Sequence, residues 1–263
     1  MHILTPLIFL SSLTTASLLP FASRTDTHLL PPAFFLAGDS TTAIQALTNT
    51  SKGGGWGTGF LSTLKNGAKG TNYGHNGATT VSFVAGGDWA NVLKGVREAE
   101  GKYRPFVTIS FGHNDQKPAA NISLAQYSTN LRSLAQQILD LNATPILVTS
   151  LSRRNFNASG LVTRNLENER LATIAVAKSL DVTYVDLNLA SMNYLNAIGL
   201  AKATTYNLEP TDFTHLNDMG SRVFGNLVAA LVLETGLGKG LREWVGVDWR
   251  VVQGIRRGIY VTA

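Results

Sequence analysis

The chain has 263 residues, enough for one large domain and short for two. Hydrophobic residues at 44% and charged residues at 15% exclude a disordered chain, and the absence of cysteine excludes disulfides, thiolate metal sites and a cysteine nucleophile. The net charge of +5 comes without any run of Lys and Arg interleaved with aromatics, so nucleic acid is not an expected partner; charge alone favours a merely soluble surface, and among partners an acidic polysaccharide fits better.

The first nineteen residues, Met1 to Leu19, carry no Lys, Arg, Asp or Glu. Ile3, Leu4, Leu7, Ile8, Phe9, Leu10 and Leu13 form a short apolar region, followed by the small residues Thr14, Thr15, Ala16 and Ser17. This reads as a secretory signal over residues 1–23, cleaved between Ala16 and Ser23. The stretch is too broken by polar residues for a membrane span. Export is also suggested by four Asn-X-Ser/Thr sequons, at Asn49, Asn121, Asn142 and Asn157. A domain is expected over residues 24–235, with a tail of undefined role over 236–263.

Within that domain, Phe34-Phe35-Leu36-Ala37 reads as a buried strand. Next comes the glycine run Lys52-Gly53-Gly54-Gly55-Trp56-Gly57, which lacks the Lys-Ser/Thr of a phosphate-binding loop. It reads as a flexible loop near the site, with Trp56 packing on a sugar or on the core. A short helix follows over 59–66 and a second strand over Thr71-Asn72-Tyr73. Trp89 to Glu100 reads as a helix capped by Asp88. Phe106 to Ser110 is the third strand, and Ser123 to Leu141 a long helix with Leu124, Tyr127, Leu131, Leu134 and Ile138 on one face. Pro145 to Thr149 and Val182 to Val185 are further strands, separated by a helix over 161–180, and Ser221 to Leu233 is the last helix. Alternation of this kind predicts a parallel sheet covered by helices on both faces, with a site at the carboxyl ends of its strands.

Four segments at such positions carry chemistry: Gly38-Asp39-Ser40, Asn76-Gly77, Gly112-His113-Asn114-Asp115 and Asp212-Phe213-Thr214-His215. Ser40 offers a hydroxyl where a strand turns into a helix start; alone, it or Asp39 could equally cap that helix. His215 is the candidate base, with Asp212 three residues before it to fix the tautomer. The N–H groups of Ser40 and Gly77 and the amide of Asn114 suit an oxyanion hole. His75, His113, Asp115 and His215 lack metal-ligand spacing, so no metal or other cofactor is expected. Arg153 and Arg154 follow the fourth strand and could pair with substrate carboxylates.

These blocks resemble those of the SGNH (GDSL) hydrolase superfamily, over about Phe34 to Leu233. Leu36-Ala37-Gly38-Asp39-Ser40-Thr41, Phe111-Gly112-His113-Asn114-Asp115 and Asp212-Phe213-Thr214-His215 most resemble its rhamnogalacturonan acetylesterase branch. The resemblance implies a three-layer α/β/α sandwich with a flavodoxin-like, mainly five-stranded parallel sheet. It implies Ser40, Asp212 and His215 as catalytic triad and Ser40, Gly77 and Asn114 as oxyanion hole, without a metal. The implied activity is a secreted serine esterase removing acetyl groups from a cell-wall polysaccharide, above all pectic rhamnogalacturonan, with no membrane partner after signal cleavage. Acetylxylan or short acyl lipids are alternative substrates, and a non-catalytic glycan-binding module is the alternative of another class. Two features depart from the family: the chain has no cysteine for the disulfides many members carry, and residues after Gly236 have no counterpart in it.

Overall fold

A computed structural model describes residues 30–44 and 54–263. The signal, its cleavage region, the Asn49 sequon and the start of the glycine run lie outside the described residues. In chain order the elements are β1 (Pro32–Gly38), α1 (Trp56–Leu61), β2 (Lys69–Asn72), α2 (Ser82–Ala85), α3 (Asp88–Ala99), β3 (Arg104–Ser110), α4 (Leu124–Asp140), β4 (Thr144–Val148), α5 (Glu167–Leu180), β5 (Thr183–Val185), α6 (Leu187–Ala203), α7 (Asp218–Glu234) and α8 (Trp249–Arg256). The five strands are all parallel, in the order β2-β1-β3-β4-β5. The chain therefore reverses its winding between β1 and β3, and the crevice at that reversal is where such sheets hold ligands. This is the three-layer, flavodoxin-like arrangement that the resemblance implied.

β1 shows why the layers form. All seven of its residues are buried, so the strand is covered on both faces. Alternation then divides its side chains. Phe34 and Leu36 join Phe106, Ile146 and Val148 in a core shared with Phe60 of α1, Leu195 of α6 and Val223, Phe224 and Val228 of α7. Phe35 and Ala37 join Val107, Ile109 and Leu147 in a second core, against Trp89 and Val92 of α3, Leu131 and Ile138 of α4 and Val176 of α5. The outer strand β2 is mostly exposed and correspondingly polar, Lys69-Gly70-Thr71-Asn72.

α1 and α7 cross at unusually close range. A Cβ on Gly59 would lie 1.8 Å from the Ser221 carbonyl oxygen, so only glycine lets the two backbones touch. The Ser221 hydroxyl stitches the crossing, accepting from the Gly59 N–H at 3.1 Å and donating to the Gly55 carbonyl at 2.6 Å.

Several elements differ from the sequence expectations. Gly87 caps α3 and Asp88 is its first residue, whereas Ser123 caps α4 by accepting from the Gln126 N–H. α5 starts at Glu167 and not at Leu161, which lies in a turn closed by the Asn157 side chain accepting from the N–H groups of Ser159 and Leu161. α6 was not anticipated. The residues after 236, whose role the sequence left undefined, pack back on the domain: Val251 and Ile255 of α8 are buried in the core shared with α7. Described sequon residues Asn121, Asn142 and Asn157 are all exposed.

Candidate active site

The site is assembled at the carboxyl ends of β1 and β3. After β1 the chain turns, with the N–H groups of Thr42 and Ala43 both donating to the Asp39 carbonyl at 3.0 Å. The Asp39 carboxylate accepts from the Thr41 N–H and hydroxyl, each at 2.8 Å. Ser40 therefore stands in a turn, not at the start of a helix, and its residue is only 6% exposed. Its Oγ lies 2.8 Å from Nε2 of His215, whose Nδ1 lies 2.7 Å from Oδ2 of Asp212. The other Asp212 oxygen accepts from the N–H groups of Thr214 and His215, both at 2.9 Å. Burial pushes the Asp212 carboxyl up, but these bonds and the facing ring outweigh it and hold it below the usual carboxylate range. A carboxylate accepts only, so Nδ1 carries a hydrogen; in the neutral ring Nε2 is then left to accept from Ser40.

The Gly77 loop is tied down on both sides. The His75 N–H donates to the Gly38 carbonyl at 3.0 Å, and Asn114 Nδ2 donates to the Ala78 carbonyl at 2.9 Å. Asp115 accepts from the Thr80 N–H at 2.8 Å and hydroxyl at 2.6 Å. Gly77 itself has φ +79° and nothing within 4 Å of where a Cβ would sit, so its backbone faces open space. One amide hydrogen of Asn114 is engaged by Ala78; its second remains available to a substrate oxygen, and Lys117 Nζ fixes the amide by donating to Oδ1 at 2.6 Å. Sequence reasoning missed Thr80, whose partner Asp115 lies 35 residues ahead and leaves no local signal.

The two arginines differ as candidate substrate contacts, Arg153 being partly exposed and Arg154 enclosed. Arg154 is fully buried. Its N–H donates to the Phe213 carbonyl at 2.8 Å, its Nη2 to the carbonyls of His215 at 2.6 Å and Asp212 at 3.3 Å, and its Nε to Asn207 Oδ1 at 2.5 Å. It holds the Asp212–His215 loop from beneath. Burial lowers its pKa to about 9, with Asp212 opposing, so it is still a cation at neutral pH. Arg153 binds the same loop from the other side, donating to Thr214 Oγ1 at 2.7 Å and to the His113 carbonyl at 3.3 Å. Trp56 is no sugar platform: it is fully buried, edge-on to Phe60 at 6.2 Å, and its backbone N–H supports the Ser40 turn through the Thr41 carbonyl. The described part of the glycine run is close-packed rather than loose, Gly54 donating to Leu216 and Gly55 to Ala43.

His113 is buried and structural, Nε2 lying 2.9 Å from the Leu151 carbonyl, to which it donates. Burial, with Arg153 nearby, lowers its pKa to about 3, so it stays neutral. Among the described residues no three His, Cys, Asp or Glu side chains gather as a metal-binding group.

The family-level comparison decides what this arrangement belongs to. Residues 36–223 match the GDSL-like lipase/acylhydrolase family. The chain is a member of that family. It is 30% identical over 219 residues to the rhamnogalacturonan acetylesterase RhgT of Bacillus subtilis (strain 168), covering 79% of this chain and 92% of that protein. The Bacillus subtilis protein YxiM has the same fold, with TM-score 0.68 and 23% identity over 77% of this chain; the match spans 56% of YxiM. Axe2, an acetylxylan esterase from Geobacillus stearothermophilus, matches with TM-score 0.57 and 20% identity over 79% of this chain and 95% of its own. The chain is thus an ester hydrolase of the SGNH class by family membership.

Asp39 carries a separate consequence of this construction. It is fully buried, and burial raises its carboxyl from 3.8 to about 6 despite the bonds from Thr41, with Asp115 adding to the rise. The native state therefore binds more protons than the unfolded chain between those values, and stability falls as pH rises through that window. The full difference of 3.8 to about 6 corresponds to about 3 kcal/mol. Asp39→Asn keeps an oxygen for Thr41 and removes the charge. Urea denaturation is expected to show the variant gaining on the parent protein by up to that amount between pH 4 and pH 7. An unchanging difference across that range would show that Asp39 does not carry the raised carboxyl.

Proposed function

We propose that the chain is an exported serine esterase that removes acetyl groups from plant cell-wall polysaccharide, with rhamnogalacturonan as its substrate. The Ser40–His215–Asp212 hydrogen-bond chain carries the reaction type; the match over nearly the whole of a rhamnogalacturonan acetylesterase carries the substrate. Ser40 Oγ attacks the acetyl carbonyl carbon as its proton passes to His215 Nε2. The carbonyl oxygen becomes an oxyanion and accepts from the N–H groups of Ser40 and Gly77 and from Asn114 Nδ2. The tetrahedral intermediate collapses, the sugar oxygen leaves with the proton from His215, and Ser40 is acetylated. Water then attacks this ester with His215 again as base, releasing acetate and restoring Ser40. Asp212 orients the ring throughout and stabilises it when it carries the proton. Export rests on the apolar, uncharged leader and the exposed sequon residues Asn121, Asn142 and Asn157.

One observation favours a second substrate, acetylxylan: Arg154, one of the two arginines that could have paired with an acidic polymer, is fully buried and bound to the Asp212–His215 loop. Acetate release from acetylated rhamnogalacturonan, homogalacturonan and xylan, assayed side by side, separates the readings. Release chiefly from rhamnogalacturonan is expected. Release chiefly from xylan would establish the second reading, and release from none, with short acyl esters cleaved, would refute the carbohydrate assignment.

A further inference from the structure

Beside the Gly77 loop lies an open cleft of about 330 Å³, lined by His75, Asn76, Gly77, Ser82 and Asp88 among others. Gly77 belongs both to this cleft and to the set of oxyanion donors proposed above. Through Gly77 the cleft adjoins the proposed oxyanion position. The volume far exceeds what an acetyl methyl group needs.

The lining is chemically specific. His75 Nδ1 lies 2.8 Å from Asp88 Oδ2, on the first residue of α3. Its backbone is fixed too, by the bond from its N–H to the Gly38 carbonyl. A carboxylate accepts only, so Nδ1 carries a hydrogen, and the pair orients a ring whose side chain is otherwise 58% exposed. Nε2 is the ring's remaining polar atom, an acceptor in the neutral ring and a donor in the protonated one. A hydroxyl group can answer either. Asn76 is exposed and offers a further donor and acceptor. The one carboxylate of the lining, Asp88, is matched by no Lys or Arg there. A uronate carboxylate would meet it as a like charge, whereas a neutral sugar ring would not.

We propose that this cleft is a subsite for a neutral sugar unit of the acetylated chain, with His75, held by Asp88, accepting or donating a hydrogen bond to a ring hydroxyl. The assignment rests on the carbohydrate esterase reading and adds to it which part of the polymer is recognised. A rhamnogalacturonan, built from neutral and acidic sugars, supplies such a unit, and so does xylan. His75 is a specificity residue, with no part in the acyl transfer itself.

The test compares the parent protein with His75→Ala on two acetylated oligosaccharides, one from rhamnogalacturonan and one from xylan, and on p-nitrophenyl acetate, which has no sugar. On whichever oligosaccharide the parent cleaves faster, the variant should lose about tenfold in kcat/KM, through KM, as expected for one lost hydrogen bond. Its kcat/KM on p-nitrophenyl acetate should change less than twofold. Parent activity on an oligosaccharide with no loss in the variant, or an equal loss on p-nitrophenyl acetate, would overturn the subsite while leaving the esterase reading standing. A parent protein that cleaves p-nitrophenyl acetate and neither oligosaccharide would overturn both.

Discussion

Ser40→Ala is expected to lower kcat by about 10⁴ or more while leaving the fold intact. The residue is almost buried, but its side chain is small and packs no hydrophobic core, so alanine leaves no cavity to speak of. What it removes is the atom that forms the acyl bond. The remaining groups, with the proposed donors at Gly77 and Asn114 and the His215–Asp212 pair, are expected to account for any residual rate. Hydrolysis of p-nitrophenyl acetate by protein with the parent's circular dichroism and thermal midpoint gives the answer. Activity within tenfold of the parent would remove Ser40 from the role of nucleophile.

Arg154→Met is expected to have the second largest effect, on both stability and turnover. The guanidinium is fully buried and donates to Asn207 and to the carbonyls of Asp212 and His215. Methionine fills part of the space and leaves those neutral acceptors without partners, at a cost of about 1–3 kcal/mol for each buried group left unsatisfied. Turnover should fall by about a hundredfold, because a shift of about 1 Å in the loop carrying Asp212 and His215 misplaces the base against Ser40. Substrate contacts are untouched, so KM should hold. Arg154→Lys keeps the charge but loses the fork, and should lie between the two proteins. Urea denaturation together with kcat and KM on p-nitrophenyl acetate checks this. A stable variant with unchanged kcat would show that the loop holds its position without Arg154.

These two residues also show what the sequence could and could not tell. Ser40, Gly77, Asn114, Asp212 and His215 stand in short blocks beside strand ends or a helix start, and parallel-sheet topology brings such ends to one edge. The strands themselves were legible because burial on both faces demands continuous apolar runs, as in Phe34-Phe35-Leu36-Ala37. Arg153 and Arg154 looked alike in sequence. Their roles follow from partners 40 to 61 residues away, in segments whose approach no local pattern announces. Trp56 was ambiguous for the same reason: a tryptophan after glycines suits a sugar platform or a core, and only the closeness of α1 to α7 decides for the core. α6 was missed because it follows β5 after a single residue, is apolar on more than one side, and is broken at Gly199, where φ is +73°. A periodic pattern needs a polar face, and this helix has little of one. The turn at Ser40 departs from the expected helix start because Asp39 spends its side chain on Thr41 and its carbonyl on Thr42 and Ala43, which closes the turn locally.

The central claim is that Ser40, activated by His215, forms the covalent intermediate. Its most direct test is peptide mapping by mass spectrometry after treatment with an organophosphate ester, for the parent protein and for His215→Ala. The account predicts a single adduct on the peptide containing Ser40 in the parent, formed as activity is lost, and at least a hundredfold slower labelling in the variant, since a serine without its base is a poor nucleophile. Inactivation with the adduct on another residue, or equally fast labelling of Ser40 without His215, would contradict it.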